Sequence, residues 1–376
     1  MKGDEPAGAA TLQKRVSPGL VVITLNRECY QEHFITSVPR GGESIAALFE
    51  RAVGAVRDRE AHIVSQEVFG LADSDRTYTQ ALKDVLGGME APLTWLENRH
   101  DTSLYGTHLW ALSGAEVRLL ALDGSTIGNV FEDDYAQYCR LGGLLPADAS
   151  RSSSEQAVEI FEGMERVLRS NGMEFGHVLR TWFYNDQILD WYDDFNKVRN
   201  DFFYKMQVFD GLLPASTGVG GRSPAGTALA GGLLAVKPKG KGVRAVAVPS
   251  PLQDAATEYG SSFSRAVELA LPDHRRLYVS GTASIDRNGE TAHIGDPEAQ
   301  VKLTMEVVHA ILKSRGMSWA SVVRALAYFK HAQDAPILQK YRTQNELPWF
   351  PVVLAENDIC RDELLFEIEV DAISAG

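Results

Sequence analysis

Cysteine is scarce in this chain: Cys29, Cys139 and Cys360 are the three in 376 residues, and they stand far apart. With no CxxC pair and no even-numbered set, a disulfide framework is excluded and a reduced, cytoplasmic setting is expected. Long apolar runs are also missing. The opening MKGDEPAGAATLQKR has no apolar signal-peptide centre and reads as a flexible arm over its first dozen residues. No run approaches the length of a bilayer span, so no membrane partner is expected. Positive charge is in deficit, 37 basic against 50 acidic residues for a net charge of −13. That balance argues against a nucleic-acid partner, which needs a local positive field. Lys237, Lys239, Lys241 and Arg244 cluster without interleaved aromatics and read as a solvated loop. There is no H-E-x-x-H, and His177, His274, His293, His309 and His331 lack ligand spacing. The GVGG at 218–221 is followed by no GK[ST]. Neither a metal nor a cofactor is expected.

What the chain does have is a core-forming share of apolar residues, 44%, and length for two or three domains. VVITLN (Val21–Asn26) and HIVSQEVFG (His62–Gly70) read as strands, and SIAALFERAVGAV (Ser44–Val56) as an amphipathic helix. Ser153 or Ser154 is expected to cap a helix beginning near Glu155. An internal repeat is the strongest signal. Residues Gln156–Tyr184 and Gln300–Tyr328 align without a gap at an offset of 144. The alignment pairs Gly172–Met173 with Gly316–Met317, Arg180 with Arg324 and Tyr184 with Tyr328. Each copy runs helix, glycine turn, strand. The helix and strand near the N-terminus repeat that order, with VRLLALDG (Val117–Gly124) closing the unit. The expected division is therefore a divergent first module at 1–125, a middle module at 126–250 and a last module at 251–376. Two modules plus a divergent extension is the alternative.

The order YVSGTASID, GDPEAQ, an amphipathic helix ending SRGM, VVRALAYF and finally LLFEIEVDA resembles the RidA/YjgF family. That resemblance implies an α+β fold of fused RidA/YjgF-like (chorismate-mutase-like α/β) modules, with mixed sheets covered by helices. Three further blocks resemble the chorismatases, enzymes built from RidA-like modules: PASTGVG (Pro214–Gly220), YGSSFSRA (Tyr259–Ala266), and VSGTASID with HIGD (His293–Asp296). Together they imply a site between the middle and last modules that needs neither metal nor redox cofactor. Where simple family deaminases carry an arginine after a late proline, this chain has Val352 and Val353, which argues against imine hydrolysis.

The resemblance raises Glu367 as the group that moves a proton, with Ser280 and Thr282 supplying hydroxyls that orient substrate or hold an oxyanion. Alternation along FEIEV puts Glu367 and Glu369 on one face, and spacing alone reads that face as solvated. Arg265 and Arg199 are candidate carboxylate forks, though each reads equally as a surface arginine. Thr217, Tyr184, Tyr328, Glu369 and His293 complete the candidate substrate contacts. Trp182, Trp191 and Tyr192 are candidate walls for a flat ring, with core packing as their other reading. Cys360 reads as an incidental thiol.

The expected activity is cofactor-independent chemistry on a small cyclic or aromatic acid in specialised metabolism. Cyclisation with dehydration of an aromatic-forming intermediate, carbazole-type ring formation included, comes first. Chorismate hydrolysis releasing pyruvate is the alternative, and a noncatalytic metabolite-binding or assembly protein is a third reading. A homodimer or homotrimer is the expected assembly.

Overall fold

A computed structural model describes residues 8–73, 76–100 and 103–375. The first unit runs β1 (Thr11–Ser17), β2 (Leu20–Asn26), β3 (Gln31–Ser37), α1 (Ile45–Arg57), β4 (His62–Phe69), α2 (Thr77–Leu86), β5 (Leu93–Leu96) and β6 (Gly106–Ser113). The second runs β7 (Arg118–Leu122), β8 (Ser125–Glu132), β9 (Ala136–Leu144), α3 (Ser153–Ser170), β10 (Val178–Asn185), α4 (Ile188–Lys205), β11 (Ala215–Gly220) and β12 (Leu229–Pro238). The third runs β13 (Arg244–Val248), β14 (Ala266–Ala270), β15 (His274–Ala283), α5 (Pro297–Ser314), β16 (Val322–Phe329), α6 (Pro336–Gln344), β17 (Val353–Glu356) and β18 (Phe366–Ala375). Each unit forms a six-stranded sheet in which the sixth strand lies between the third and the fourth. The fourth and fifth strands are parallel, joined through a helix, and the other pairs are antiparallel. The sheets are mixed and flanked by helices, as expected for fused RidA/YjgF-like modules.

Several local expectations shift. Strand β1 begins at Thr11, inside the stretch read as an arm, and residues 1–7 of that arm lie outside the described residues. VRLLALDG does not close the first unit: its strand β7 pairs with β8 in the second sheet. The cap of α3 is Ser152, one residue ahead of the expected serines, because its hydroxyl accepts from Glu155 N while the Glu155 side chain returns to the Ser152 backbone. The repeat is exact at the level of elements. Both ends of α3 recur in α5, and both ends of β10 in β16, at the same offset of 144.

Helices cover one face of each sheet. Leu48, Phe49, Ala52 and Val53 of α1 are fully buried, as are Phe161 and Met164 of α3 and Val301, Met305 and Val308 of α5. The opposite faces of the three sheets meet in one shared core, where Phe69, Trp110, Tyr138, Trp182, Tyr184, Tyr278 and Tyr328 pack together. Burial of this aromatic surface joins the modules. Charge is buried there too. Glu67 accepts from Arg140 at 2.5 Å and from Arg324 at 2.7 Å. Glu369 accepts from Arg324 at 2.6 Å, Arg180 at 2.8 Å and Trp182 Nε1 at 3.1 Å. All three modules contribute to this chain of pairs, and the two arginines of the repeat converge on one carboxylate.

Candidate active site

The second and third sheets are stitched along β11 and β15. Ser216 N donates to Ser280 Oγ at 2.9 Å, and Ser280 Oγ donates to Ser264 O at 2.6 Å. Gly281 N donates to Thr217 Oγ1 at 3.1 Å, and Ala215 bridges Ser264. Beside this seam opens a cavity. Tyr192 and Arg199 reach it from α4, Ser216 and Gly218 from β11, and Gly281 and Ala283 from β15. Phe263 and Arg265 line it from the segment before β14, Cys360 and Arg361 from the segment before β18, and Glu367 from β18 itself.

Glu367 stands opposite Ala283 on one side and Tyr328 on the other, and is 4% exposed. Spacing alone assigned it to a solvated face. The alternation along β18 holds, but the face it defines meets another module instead of water. Burial, helped by the negative charge of Glu369 and opposed by Arg180, pushes the Glu367 carboxyl up to about 8. At neutral pH it therefore carries a proton. Gly281 makes room for it: a Cβ on that residue would collide with Glu367 Oε1 and stand 3.3 Å from Thr217 Cγ2. Gly218 similarly lies under Tyr192, whose ring would be 3.7 Å from an added Cβ.

Three arginines line the same cavity as this neutral acid, and each donates a hydrogen bond to a neutral oxygen. Arg265 Nε donates to Asp254 O at 3.0 Å, an Arg199 NH2 group to Asn196 Oδ1 at 2.7 Å, and an Arg361 NH1 group to Gly289 O at 2.7 Å. Arg199 and Arg265 are almost wholly buried, at 2% and 6% exposure. Arginine stays cationic at any working pH. The Cys360 thiol, pushed by burial up to about 12, stays neutral. The cavity thus brings three guanidinium groups together with one carboxyl that holds a removable proton. It suits an anion carrying carboxylates, with Tyr192 and Phe263 as flat walls.

Other sequence candidates fall elsewhere. Thr282 Oγ1 donates to Ser280 O at 2.8 Å, and Ser280 is engaged in the seam, so neither hydroxyl lines the cavity. Glu369 is locked in the core by its arginines and tryptophan. Tyr184 and Tyr328 lie in the shared core, where neither hydroxyl has a hydrogen-bond partner among the described residues. His293 is exposed in a left-handed turn, and its carbonyl accepts from Gln300 at 3.2 Å. Trp182 stacks beneath Arg140, 4.1 Å from its ring centre, while Trp191 packs against Phe195 and donates to Asp186 O. Sequence reasoning missed Arg361 and set Cys360 aside. Their one signal was a polar turn, CRDE, directly before the last strand.

The repeat shows why the chemistry sits in one cleft. The same bulge interrupts β4, β10 and β16 against the sixth strand of each sheet, which fixes equivalent positions. Opposite Phe69, Tyr184 and Tyr328 stand Gly106, Ala230 and Glu367. In the cleft between the first and second modules, Ala230 lies among Leu93, Trp95 and Pro224. At Gly106 the side chain of Val353 fills the space, its methyls about 3.0 Å from where a Cβ would be. Only the cleft between the second and third modules holds an acid at this position.

Residues 255–374 match the family model described as Endoribonuclease L-PSP. A 3-hydroxybenzoate synthase from Streptomyces hygroscopicus is 28% identical over 62% of this chain and 73% of its own length. A chorismatase from the same organism is 24% identical over 61% of this chain and 70% of its own. A crystal structure of a chorismatase superposes with a TM-score of 0.65 at 19% identity, covering 91% of this chain and 98% of that one. Three fused α+β modules with one acid-bearing cleft define the class. The chain is a chorismatase-like, multi-module member of the RidA/YjgF superfamily. No helix among the described residues is long and apolar enough to cross a membrane.

Proposed function

We propose that the protein is an enzyme that cleaves the enol ether of chorismate, or of a closely related cyclic dicarboxylic acid, and releases pyruvate. The observation that carries this reading is the protonated, desolvated carboxyl of Glu367 set among Arg199, Arg265 and Arg361. Such a substrate has two carboxylates for arginine forks and an electron-rich enol carbon for the acid. Glu367 gives its proton to the methylene carbon, leaving a cation stabilised by the ether oxygen. Water adds to the carbon bearing that oxygen and returns a proton to Glu367. The resulting hemiketal collapses by breaking its bond to the ring oxygen, which takes up the hydroxyl proton. One water is consumed, and the products are pyruvate and a dihydroxylated cyclohexadiene acid. The names of both relatives agree with a cyclic acid as substrate or product. Neither name carries carbazole chemistry, so hydrolysis replaces cyclisation as the leading reading.

Aromatising release is the second reading, favoured by the name of the 28% identical relative. There the ring loses water as pyruvate forms, the water taken up and the water lost balance, and the product is a hydroxybenzoate. The test is purified protein with chorismate in deuterated water, followed by mass spectrometry. Carbon protonation by Glu367 places one deuterium in the pyruvate methyl group, and the ring product separates hydrolysis from aromatisation. A folded protein that releases no pyruvate overturns both readings.

A further inference from the structure

The hydroxyl of Thr217 is engaged on three sides. It accepts from an Arg180 NH2 group at 2.6 Å and from Gly281 N at 3.1 Å, and it hydrogen-bonds the Glu369 carboxylate. A hydroxyl offers one proton and two lone pairs, so this set leaves nothing for substrate. Its partners lie on both sides of the pocket wall. Arg180 and Glu369 belong to the buried core, and the same Arg180 nitrogen binds both Thr217 and Glu369. Gly281 belongs to the cavity and is the residue whose missing side chain makes room for Glu367. Glu369 and Glu367 are neighbours on one face of β18.

We infer that Thr217 is a positioning residue: its hydroxyl couples the Arg180–Glu369 pair of the core to Gly281 and thereby fixes the wall against which the reacting acid stands. The inference rests on Glu367 as the acid of the proposed reaction. Without the hydroxyl, Gly281 N loses its acceptor and the wall relaxes, so water reaches the carboxyl. Arg180 loses one of its two partners and is freer to turn toward Glu367. Both changes favour the charged carboxylate. The groups of its own module that act on Glu367 are Glu369 and Tyr328. From the facing module it is Arg180, while Cys360 interacts with Glu367 across the cavity that Tyr192, Arg199, Arg265 and Arg361 also line.

The experiment compares Thr217→Val, which keeps the shape, with Thr217→Ser, which keeps the hydroxyl, in the full chain. The titration of the Glu367 carboxyl is followed by carbon-13 NMR, with Glu367→Gln to assign the resonance, alongside kcat and KM for chorismate. In Thr217→Val the midpoint is expected to fall by about one pH unit or more. With it kcat falls about ten-fold or more while KM stays within about two-fold, the pattern of a lost transition-state contribution. Thr217→Ser restores both. A Glu367 midpoint unchanged in a folded Thr217→Val overturns the inference. A KM that rises with kcat preserved also overturns it, since that is the signature of a substrate contact. If the unmodified protein turns over no chorismate, the proposed reaction fails, while the NMR comparison still decides the role of Thr217.

Discussion

Replacing Glu367 by glutamine is expected to abolish turnover and stabilise the fold. The amide keeps the shape but has no acidic proton, so the loss of general acid catalysis is about 10²- to 10⁴-fold in kcat. The stability effect follows from the native carboxyl standing near 8 against an ordinary 4.5. Between those values the folded chain binds more protons than the unfolded one, so its stability is full below about 4.5 and is lost as pH rises toward 8. At pH 7 the unfolded carboxyl has ionised and the native one has not, which costs up to roughly 3 kcal/mol. Glutamine carries no such cost. The variant should gain nothing over the native chain near the ordinary carboxylate range and most at mildly alkaline pH. Since 1 kcal/mol moves the midpoint of a chain of about 150–250 residues by about 2–4 °C, and of a longer chain by less, the thermal gain at neutral pH is a few degrees. The assay is urea unfolding of both proteins at about pH 5 and about pH 8. A stability difference that stays constant across that range refutes the claim that burial keeps Glu367 protonated, whatever happens to activity.

Arg265→Ala should raise KM for chorismate about ten- to hundred-fold through loss of a charge-assisted contact, and Arg265→Lys should recover only part of it, because an ammonium cannot reproduce the planar fork; steady-state kinetics decides. An Arg265→Ala enzyme with unchanged KM would remove this arginine from the binding set. Arg324→Met should cost about 3–5 kcal/mol of unfolding free energy, since it leaves the buried Glu67 and Glu369 short of a shared cation. Urea denaturation measures this, and a loss below about 1 kcal/mol would show that the core relaxes around the missing charge.

Much of the architecture was legible because local signals agreed. The offset of 144 between Gln156 and Gln300 paired two helices and two strands, and the bounds of each pair differ by that same offset. The first module kept the element order but not the identities, so Phe69 and Gly106 could be equated with Tyr328 and Glu367 only through the shared bulge. Glu367 was legible as a candidate, but its burial was not. Period-two alternation says which residues share a face, and only tertiary packing says whether that face meets water or another sheet. For Ser280 and Thr282 the same limit holds: hydroxyls in a strand look free in sequence, yet here each donates its proton to a backbone carbonyl, Ser280 at the seam and Thr282 beside it. Arg361 and Cys360 come from a turn with no periodicity, and the link between β17 and β18 delivers them to the cavity.

The cavity draws its walls from two stretches of chain that are far apart in sequence, with Tyr192 and Arg199 on one and Arg265 and Glu367 on the other. Inheritance of the last module alone would therefore carry the acid without half of the surface that chooses its substrate. A chimera that exchanges only residues after β13 should keep a proton donor and lose its selectivity. The heritable unit of specificity is the pair of neighbouring modules, and the seam through Ser280 and Thr217 is where such a graft must match.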